Sequence, residues 1–275
     1  MKQLVVRISE GIGNQLFMYA NAYALSKKFN YNLNIDNTSG YFKLKNQIRN
    51  YELNNFMISS DISSKNLKFD TYSKDIKRKC LKILDIFRRH KKFFIETKNL
   101  QKKTSLTEIN LENYSDTIFI EGHFECEKYF LKYEKEIKKL FKIKSNLIEN
   151  NNRYISELKN SNSVSICIRQ NRYSEGKNRS YLKSHQFLND TINYIYKSVD
   201  YIKKYVENPK FFIWSNDLSN LSKYFSEDEF ILIDNQINKS INDFYLFNFC
   251  KHFIVGPTSF HWWGAWLNNN KNKIC

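Results

Sequence analysis

Two arginines follow a predicted buried strand in the second half of the chain, in the segment CIRQNRYSE at 167–175. Arg169 and Arg172 carry guanidinium groups, which match the geometry of phosphate oxygens. Ligands bind at the carboxyl ends of parallel strands in open α/β folds. The segment therefore indicates a phosphate-binding loop, with Glu175 as a candidate proton acceptor beside it. The alternative is a loop arginine that pairs with a surface carboxylate.

A second candidate anion site lies at 253–267, in the segment FIVGPTSFHWWGAWL. The pattern predicts a strand, a sharp loop and a helix. Thr258 or Ser259 is placed to cap that helix, whose first N–H groups would then face an anion such as a phosphate. For the tryptophans the plainer interpretation is burial in the core, and the spacing of Trp262 and Trp266 favours it.

Ser215 and Asp217 end another predicted strand of the second half, again at the edge where ligands bind. The Asp217 carboxylate could accept hydrogen bonds from a guanine or a ribose, or it could cap the following helix. The sequence contains no Asp-x-Asp pair and its histidines are scattered, so a metal-held diphosphate is not supported. We expect no metal site, and cationic side chains with a helix end would take the place of the metal.

Near the N terminus, the segment SEGIGNQ at 9–15 predicts a glycine-rich turn that opens a helix. It begins like the dinucleotide-binding fingerprint, but Leu16 occupies the third glycine position and Asp36 is only a loose match to the usual acidic residue. Nicotinamide binding is therefore not favoured. The glycine-rich turn would still let the backbone come close to a polar ligand, and Asn14 and Gln15 would offer their amides to it.

The composition describes a folded and strongly basic protein. Of 275 residues, 41% are hydrophobic and 16% aromatic, which excludes a disordered chain. Lys and Arg outnumber Asp and Glu by 44 to 28, a formal net charge of +16, so an anionic partner or surface is expected. No RNA-binding signature accompanies that charge, and we expect no nucleic-acid partner. The five cysteines form no ligand pattern and no secretory signal is visible, so we expect a cytoplasmic protein.

Short apolar runs alternate with helical patterns along the whole chain. Such runs, apolar throughout and separated by helices, favour parallel sheets covered on both faces. We therefore predict an α/β protein of two Rossmann-like domains, 1–150 and 151–275, whose parallel sheets face each other across a cleft. Strands are predicted at 4–8, 33–35, 118–120, 164–168, 211–214, 230–233 and 253–255, and helices at 15–29, 126–141, 185–206, 220–225 and 241–250.

The segment KDIKRKCLKILDIFRRHKKFF at 74–94 predicts a basic amphipathic helix. Apolar residues recur at helical spacing on one side, and lysines and arginines lie elsewhere. Such a helix suits an anionic membrane surface, so peripheral contact with the inner face of the plasma membrane is one expectation. The alternative is a solvated helix packed on the first domain.

Four blocks of the sequence carry a family resemblance: GIGNQLFMYANAYALSKK, IEGHFECEKYF, NPKFFIWSND and DFYLFNFCKHFIVGPTSFHWWGAWLNNN. They resemble, in order, those of the family 11 glycosyltransferases, the bacterial galactoside α-1,2-fucosyltransferases. The resemblance implies a GT-B fold, with the acceptor side in 1–150 and the GDP-sugar donor in 151–275. It also implies metal-independent transfer with inversion at the anomeric carbon, and GDP-fucose as a donor substrate without any cofactor.

The resemblance further implies roles for individual residues. The first arginine after the strand would hold the diphosphate, and the serine and aspartate of the next strand end would lie beside the nucleotide. The hydroxyl corner before the tryptophans would close over it, and the glycine-rich turn would face the cleft from the other half. The matching positions are Gly13, Asn14, Arg169, Ser215, Asp217, Thr258, Ser259 and Phe260.

This chain departs from the family pattern at several positions. The family's arginine motif runs His-x-Arg-Arg-x-Asp, but here Gln170 replaces the second arginine, and we expect Arg172 to supply that charge. Glu10 stands where a glycine is usual. Pro257 and His261 stand where asparagine and serine are common.

The sequence thus predicts an inverting fucosyltransferase that moves L-fucose from GDP-fucose to a galactoside hydroxyl, in α-1,2 linkage, on a surface glycan or O-antigen unit. Arg169 would stabilise the departing diphosphate, and Glu175 would take the proton of the acceptor hydroxyl. The acceptor would contain galactose and could be carried on a lipid. Two alternatives stay open: a transferase of the same fold that uses another nucleotide sugar, and a non-catalytic basic relative that binds membranes or nucleic acid.

Overall fold

The computed structural model describes residues 2–43, 49–97, 105–148, 153–174, 179–235 and 239–275. The chain divides into two compact units, Met1–Lys144 and Ser145–Cys275. The boundary predicted between residues 150 and 151 falls inside the second unit. Each unit is built on one parallel β-sheet.

The first unit has a five-stranded sheet, and every neighbouring pair of strands is parallel. Its elements in the described residues are β1 (Gln3–Arg7), α1 (Ile12–Phe29), β2 (Asn32–Asp36), β3 (Asp61–Ile62), α2 (Tyr72–Leu84), β4 (Lys91–Ile95), β5 (Tyr114–Glu121) and α3 (Glu134–Leu140). The order across the sheet is β3-β2-β1-β5-β4. Leu4, Val5 and Val6 in the central strand are at most 1% exposed, as expected where both faces of a sheet are covered.

The loop before α1 has an unusual backbone. Glu10 adopts a φ of 65°, in the left-handed region where a Cβ crowds the following carbonyl. This explains why glycine is usual at the position. The Glu10 carboxylate forms an ion pair with Arg49. At the other end, α1 stops at Asn30, whose φ of 56° is one that asparagine tolerates.

The prediction of one helix over 74–94 is wrong in its second half. After α2, a 3-10 turn spans Asp85–Phe87 and the chain then enters β4. One carboxylate oxygen of Asp85 accepts the backbone N–H groups of Lys92 and Phe93, each at 2.8 Å. This side chain joins the end of the helix to the start of the strand, a contact that helical spacing in the sequence does not encode.

Two other predicted helices are also shorter than expected. In 126–141, 3-10 turns at Glu127–Tyr129 and Leu131–Tyr133 precede α3. Between them Phe130 is fully buried with a non-helical backbone, φ −136° and ψ 0°, so its burial interrupts the helix. In 220–225 the described structure is a 3-10 turn, Leu221–Lys223.

α2 packs on the first unit through charged side chains. Arg78 donates to both carboxylate oxygens of Glu121 at the end of β5, at 2.8 and 2.7 Å, and to Asp75 at 2.8 Å. Lys82 also pairs with Glu121, and Lys43 with Asp75. Burial alone would raise the pKa of Asp75, but hydrogen bonds from Lys43 and Arg78 outweigh it and hold that pKa well below its usual range.

The second unit has a four-stranded parallel sheet in the order β8 (Phe230–Leu232), β7 (Pro209–Ser215), β6 (Asn162–Ile168) and β9 (His252–Ile254), so its α/β prediction is confirmed. Ile195 and Val199 of its long helix pack in the same core as Ile166 of the central strand. None of the helices in the described ranges is both long enough and apolar enough to cross a bilayer. The elements are α4 (Tyr154–Asn160), β6 (Asn162–Ile168), α5 (Tyr181–Tyr205), β7 (Pro209–Ser215), β8 (Phe230–Leu232), α6 (Lys239–Leu246), β9 (His252–Ile254) and α7 (Ser259–Leu267).

Candidate active site

Three loops leave the second sheet side by side at its carboxyl edge. β6 lies between β7 and β9, with Ile168 beside Ser215 and Ile166 beside Ile254. Arg169 follows β6 directly and is half-buried. The strand order therefore brings together the three segments that the sequence predicted as the donor site.

Gln170 ties the loop after β6 to the loop after β7. Its backbone N–H donates to the Asn216 side-chain oxygen at 2.8 Å, and the Asn216 amide donates back to the Gln170 carbonyl at 3.3 Å. The Gln170 side chain donates to the carbonyls of Asp217 and Ser219 at 2.6 and 3.0 Å. The residue that replaces the family's second arginine is 7% exposed and serves as a strut between two loops.

Ser215 and Asp217 are engaged in the turn that follows β7. The Ser215 hydroxyl donates to the Asp217 carbonyl at 2.6 Å and accepts the Asp217 N–H at 3.2 Å. An Asp217 carboxylate oxygen accepts the N–H of Ser219 at 2.8 Å. Ser215 is only 4% exposed, whereas Asp217 is half-buried. Ser215 thus shapes the turn, and contact of either residue with a nucleotide stays a prediction.

Arg172 joins the loop after β6 to the loop after β9. Its Nη1 donates to the carbonyl oxygen of Pro257 at 2.8 Å. The guanidinium also lies 5.0 Å from the centre of the Phe187 ring on α5, within range of a cation–π contact. The exposed Arg172 side chain therefore lies near the start of α7, and its role as the second charge at a diphosphate stays a prediction.

Thr258 is the N-cap of α7, one of the two alternatives that the sequence left open. Its side-chain oxygen accepts the backbone N–H of His261 at 3.3 Å. Ser259 is the first residue of the helix, and both hydroxyl residues are half-buried. The Phe260 ring packs 5.5 Å from the ring of Phe247, so only part of it is available to a ligand.

The inner face of α7 is held to β6 by a buried histidine. His261 Nε2 and Ser165 Oγ are hydrogen-bonded at 2.7 Å, and His261 is fully buried. Burial lowers the pKa of His261 to about 3, so its ring is neutral at physiological pH. Trp263 is the fully buried tryptophan of the helix. The prediction that Trp262 and Trp266 lie in the core is wrong, because both are half-buried and stack on each other with ring centres 6.2 Å apart.

Glu175, the predicted proton acceptor, lies outside the described residues, so its role stays a prediction.

Sequence reasoning missed a buried polar pair at the same sheet edge, where the Asn235 amide donates to the Asp243 carboxylate at 2.6 Å and both residues are 6% exposed. The available signal was Asn242 and Asp243 within the apolar run 241–250. Within the described ranges no cluster of three or more His, Cys, Asp or Glu could hold a metal ion.

In the first unit Gln15 is fully buried and hydrogen-bonded within the protein. Its Nε2 donates to the carbonyls of Glu10 and Asn50 at 2.9 and 2.7 Å, and its Oε1 accepts the N–H of Glu52 at 2.9 Å. The expectation that this amide serves a ligand is therefore wrong. Gln15 instead joins the glycine-rich turn to the segment at 50–52.

Gly13 and Asn14 lie in the first turn of α1, where Gly13 is buried and Asn14 half-buried. Their predicted contact with a ligand is untested and stays a prediction. Asp36 is 1% exposed, and its carboxylate accepts the backbone N–H groups of Thr38 and Ser39 at 3.2 and 3.0 Å. The loose candidate for a ribose contact is thus occupied within its own loop.

A depression of about 440 Å³ opens on the first unit beside the segment that Gln15 holds. Burial raises the pKa of Tyr51 to about 12, so its hydroxyl is neutral and can donate a hydrogen bond. Aromatic walls with a few polar groups are typical of small-molecule sites. The lining residues are Asn37, Thr38, Tyr41, Phe42, Asn50, Tyr51 and Asp70.

Comparison with known proteins identifies the family. The sequence model of glycosyl transferase family 11 matches residues 3–274. The alpha-1,2-colitosyltransferase of Escherichia coli is 29% identical over 280 residues, which cover 98% of this chain and 89% of the relative. The O-antigen biosynthesis glycosyltransferase WbnK of Escherichia coli is 24% identical over 287 residues, which cover 97% of this chain and 91% of the relative.

Solved structures share the fold at low sequence identity. The fucosyltransferase NodZ from Bradyrhizobium has a TM-score of 0.54 at 14% identity, over 98% of this chain and 94% of that one. A mutant of Arabidopsis thaliana FUT1 in complex with GDP has a TM-score of 0.51 at 11% identity, over 97% of this chain and 68% of that one. With the two parallel sheets, this likeness confirms the GT-B-type α/β class. Because the family match spans nearly the whole sequence, the chain belongs to glycosyl transferase family 11.

Proposed function

We propose that this family 11 enzyme transfers L-fucose from GDP-fucose to a galactoside hydroxyl in α-1,2 linkage, with inversion and without a metal ion. The observation that carries the proposal is the meeting of Arg169, Arg172 and the N-terminus of α7 at one sheet edge. Guanidinium groups and a helix N-terminus both suit a diphosphate. A NodZ alpha-1,6-fucosyltransferase crystal that was soaked with GDP-fucose has the same fold, with a TM-score of 0.54.

In the proposed reaction the acceptor oxygen attacks the anomeric carbon of fucose. The bond from that carbon to the β-phosphate oxygen breaks, the electron pair leaves with GDP, and the acceptor proton passes to a base, for which Glu175 is the candidate. Negative charge develops on the departing diphosphate. Arg169 and the first turn of α7 would stabilise that charge, which is where a preorganised site contributes most to the rate.

For the acceptor we propose the depression on the first unit. The faces of Tyr41 and Tyr51 can lie against the apolar CH face of a sugar ring, while Asn37, Asn50 and Asp70 offer groups to its hydroxyls. A galactose-containing glycan fits this chemistry, and a lipid carrier could present it. The name of the relative WbnK points to O-antigen synthesis as the setting.

A second candidate donor is favoured by one relative. The alpha-1,2-colitosyltransferase is 29% identical along nearly the whole chain. Colitose is L-fucose without the hydroxyl at carbon 3, so the two donors differ by one polar group. A site that hydrogen-bonds that hydroxyl would reject the deoxy sugar, whereas a site that leaves it unbound would accept both.

The test is a calorimetric titration with GDP, UDP, ATP and an oligonucleotide in the presence of EDTA, followed by transfer assays with GDP-fucose and GDP-colitose on a soluble galactoside. We expect GDP alone to bind, and product with inverted anomeric configuration to form. Loss of binding in EDTA would overturn the metal-free mechanism. Turnover of GDP-colitose but not GDP-fucose would replace the proposed donor, and preferential binding of UDP or an oligonucleotide would reject a GDP-sugar altogether.

A further inference from the structure

The outward face of α2 and of the turn after it exposes large apolar side chains. Ile76 and Ile83 are each 62% exposed, and Ile86 and Phe87 are 74% and 83% exposed. Single apolar residues on a surface need no explanation, but a contiguous patch marks an interaction site. Helical spacing of three and four positions makes these side chains neighbours. We call this set the α2 surface, and its members are Ile76, Cys80, Ile83, Leu84, Ile86 and Phe87.

Buried ion pairs on the opposite face fix the orientation of α2. Asp75 and Asp85 are 3% and 6% exposed, and Arg78 bridges Asp75 to Glu121 on β5. Rotating the helix to bury its apolar face would take Arg78 and Lys82 away from Glu121, which is 9% exposed, and breaking such buried ion pairs is strongly unfavourable. The exposure of the apolar face is therefore built into the fold and does not reflect a loosely attached helix.

Basic side chains border the α2 surface. Lys77 lies on the helix, Arg89 and Lys91 follow the turn, and all three are exposed. In the part of the chain that the structure describes, none of the three takes part in an ion pair. An apolar centre with a cationic border is complementary to anionic headgroups with hydrocarbon beneath them.

We propose that the α2 surface docks the protein on an anionic lipid bilayer. Ile83 and Phe87 enter the boundary between headgroups and acyl chains, and the bordering cations contact lipid phosphates. A second copy of the chain is the poorer occupant, because a two-fold contact would set the cationic borders against each other. This docking goes beyond the proposed function and depends on neither its donor nor its acceptor.

The test is co-sedimentation of the full chain with vesicles of phosphatidylcholine alone and with about one-third phosphatidylglycerol, without donor or acceptor present. We expect binding to the anionic vesicles that weakens as salt rises. Replacing Ile83 and Phe87 by Ser should lower the partition coefficient at least tenfold. Reversing Lys77, Arg89 and Lys91 to Glu should lower it on the order of a hundredfold, because each cation near such a surface contributes about fivefold.

Matched controls separate the α2 surface from net charge and general hydrophobicity. The first control replaces Lys197, Lys204 and Lys223 by Glu, which changes the net charge by the same amount at exposed positions of the second unit. The second control, Tyr205→Ser, removes an exposed ring from that unit. These variants should bind vesicles as the wild type does, and all variants should keep the wild-type thermal unfolding midpoint.

Three outcomes would overturn the proposal. These are absent vesicle binding, equal loss in the control variants, and binding that the α2 variants leave unchanged. A wild-type dimer that dissociates in the serine variants would assign the surface to self-association instead. Failure of GDP binding or of sugar transfer would leave vesicle docking unaffected, so the two proposals fail separately.

Discussion

Arg172 and Pro257, 85 positions apart in the sequence, are joined by a hydrogen bond of 2.8 Å from guanidinium to carbonyl. The bond brings a cation beside the capped start of α7, although the residue that precedes Arg172 by two positions is a glutamine rather than the family's arginine. Arg169 lies on the same loop, directly after β6. The two arginines are therefore placed differently, one at the strand end and one across the loop, and their substitution should have different effects.

Arg169→Ala should lower kcat/KM for GDP-fucose at least a hundredfold, on the scale of losing one preorganised donor to a developing oxyanion. Arg169→Lys should recover little, because a point charge cannot reproduce the bidentate fork. Arg172→Ala should cost on the order of tenfold, since its side chain is exposed and screened. Steady-state kinetics decide, and near-normal rates in both Arg169 variants would move the diphosphate role to Arg172.

Tyr51→Ala should raise KM for the galactoside acceptor on the order of tenfold and leave KM for the donor unchanged. The reason is that the ring supplies apolar wall to the depression on the first unit without belonging to the sheet edge of the second. Tyr205→Ala, which removes an exposed ring elsewhere, is the control. Equal changes in both Michaelis constants, or none, would exclude this depression as the acceptor site.

Glu10→Gly should be more stable than Glu10→Ala by about 1 kcal/mol. Both variants lose the ion pair with Arg49, so the comparison isolates the left-handed backbone at this position. The same pair of substitutions at Lys197, inside α5, should give the opposite sign, because alanine is favoured in a helix interior. Denaturant unfolding measures both differences, and an alanine variant as stable as the glycine variant would show that Glu10 is not strained.

His261 should make the protein less stable below about pH 6.5, the ordinary pKa of histidine. Its folded-state pKa of about 3 lies below that value, so between the two the unfolded chain binds a proton that the folded protein excludes. The stability that neutral His261 contributes is fully present above about pH 6.5. As the pH falls below that value, the free energy of unfolding decreases by about 1.4 kcal/mol per pH unit. His261→Gln should have a shallower slope between pH 7.5 and 5.5, and identical slopes would contradict the assignment.

The order of loops at the carboxyl edge of the second sheet was predictable, because Arg169, Asp217 and Thr258 each follow an apolar run and parallel strands end at one edge. The roles of individual polar side chains were harder to predict from the sequence. The Gln15 side chain hydrogen-bonds three backbone groups and the Gln170 side chain two, and no local pattern in the sequence distinguishes such a structural side chain from one that contacts a ligand. The burial of Trp263 was also not predicted. Because α7 is apolar on every side, the spacing of its apolar residues does not show which side faces the core.

The orientation of α2 shows a stronger limit. Periodicity separates its apolar side from its charged side, but either side could have faced the sheet. The charged side faces the sheet because Glu121 supplies a buried carboxylate that pairs with Arg78. The two residues are 43 positions apart in the sequence. A sequence reader weighing helical spacing alone would place the apolar side inward, because that is the commoner solution.

The bonds among the loops after β6, β7 and β9 also bear on the entropy of ligand binding. Through Gln170, Asn216 and Arg172 these loops restrain one another before any ligand arrives. Ordering a flexible loop consumes part of the free energy that contacts with a ligand provide, and a loop that is already ordered does not. A nucleotide that occupies this edge should therefore bind with little loss of backbone freedom, and most of the entropy change should come from the ligand itself and from displaced water.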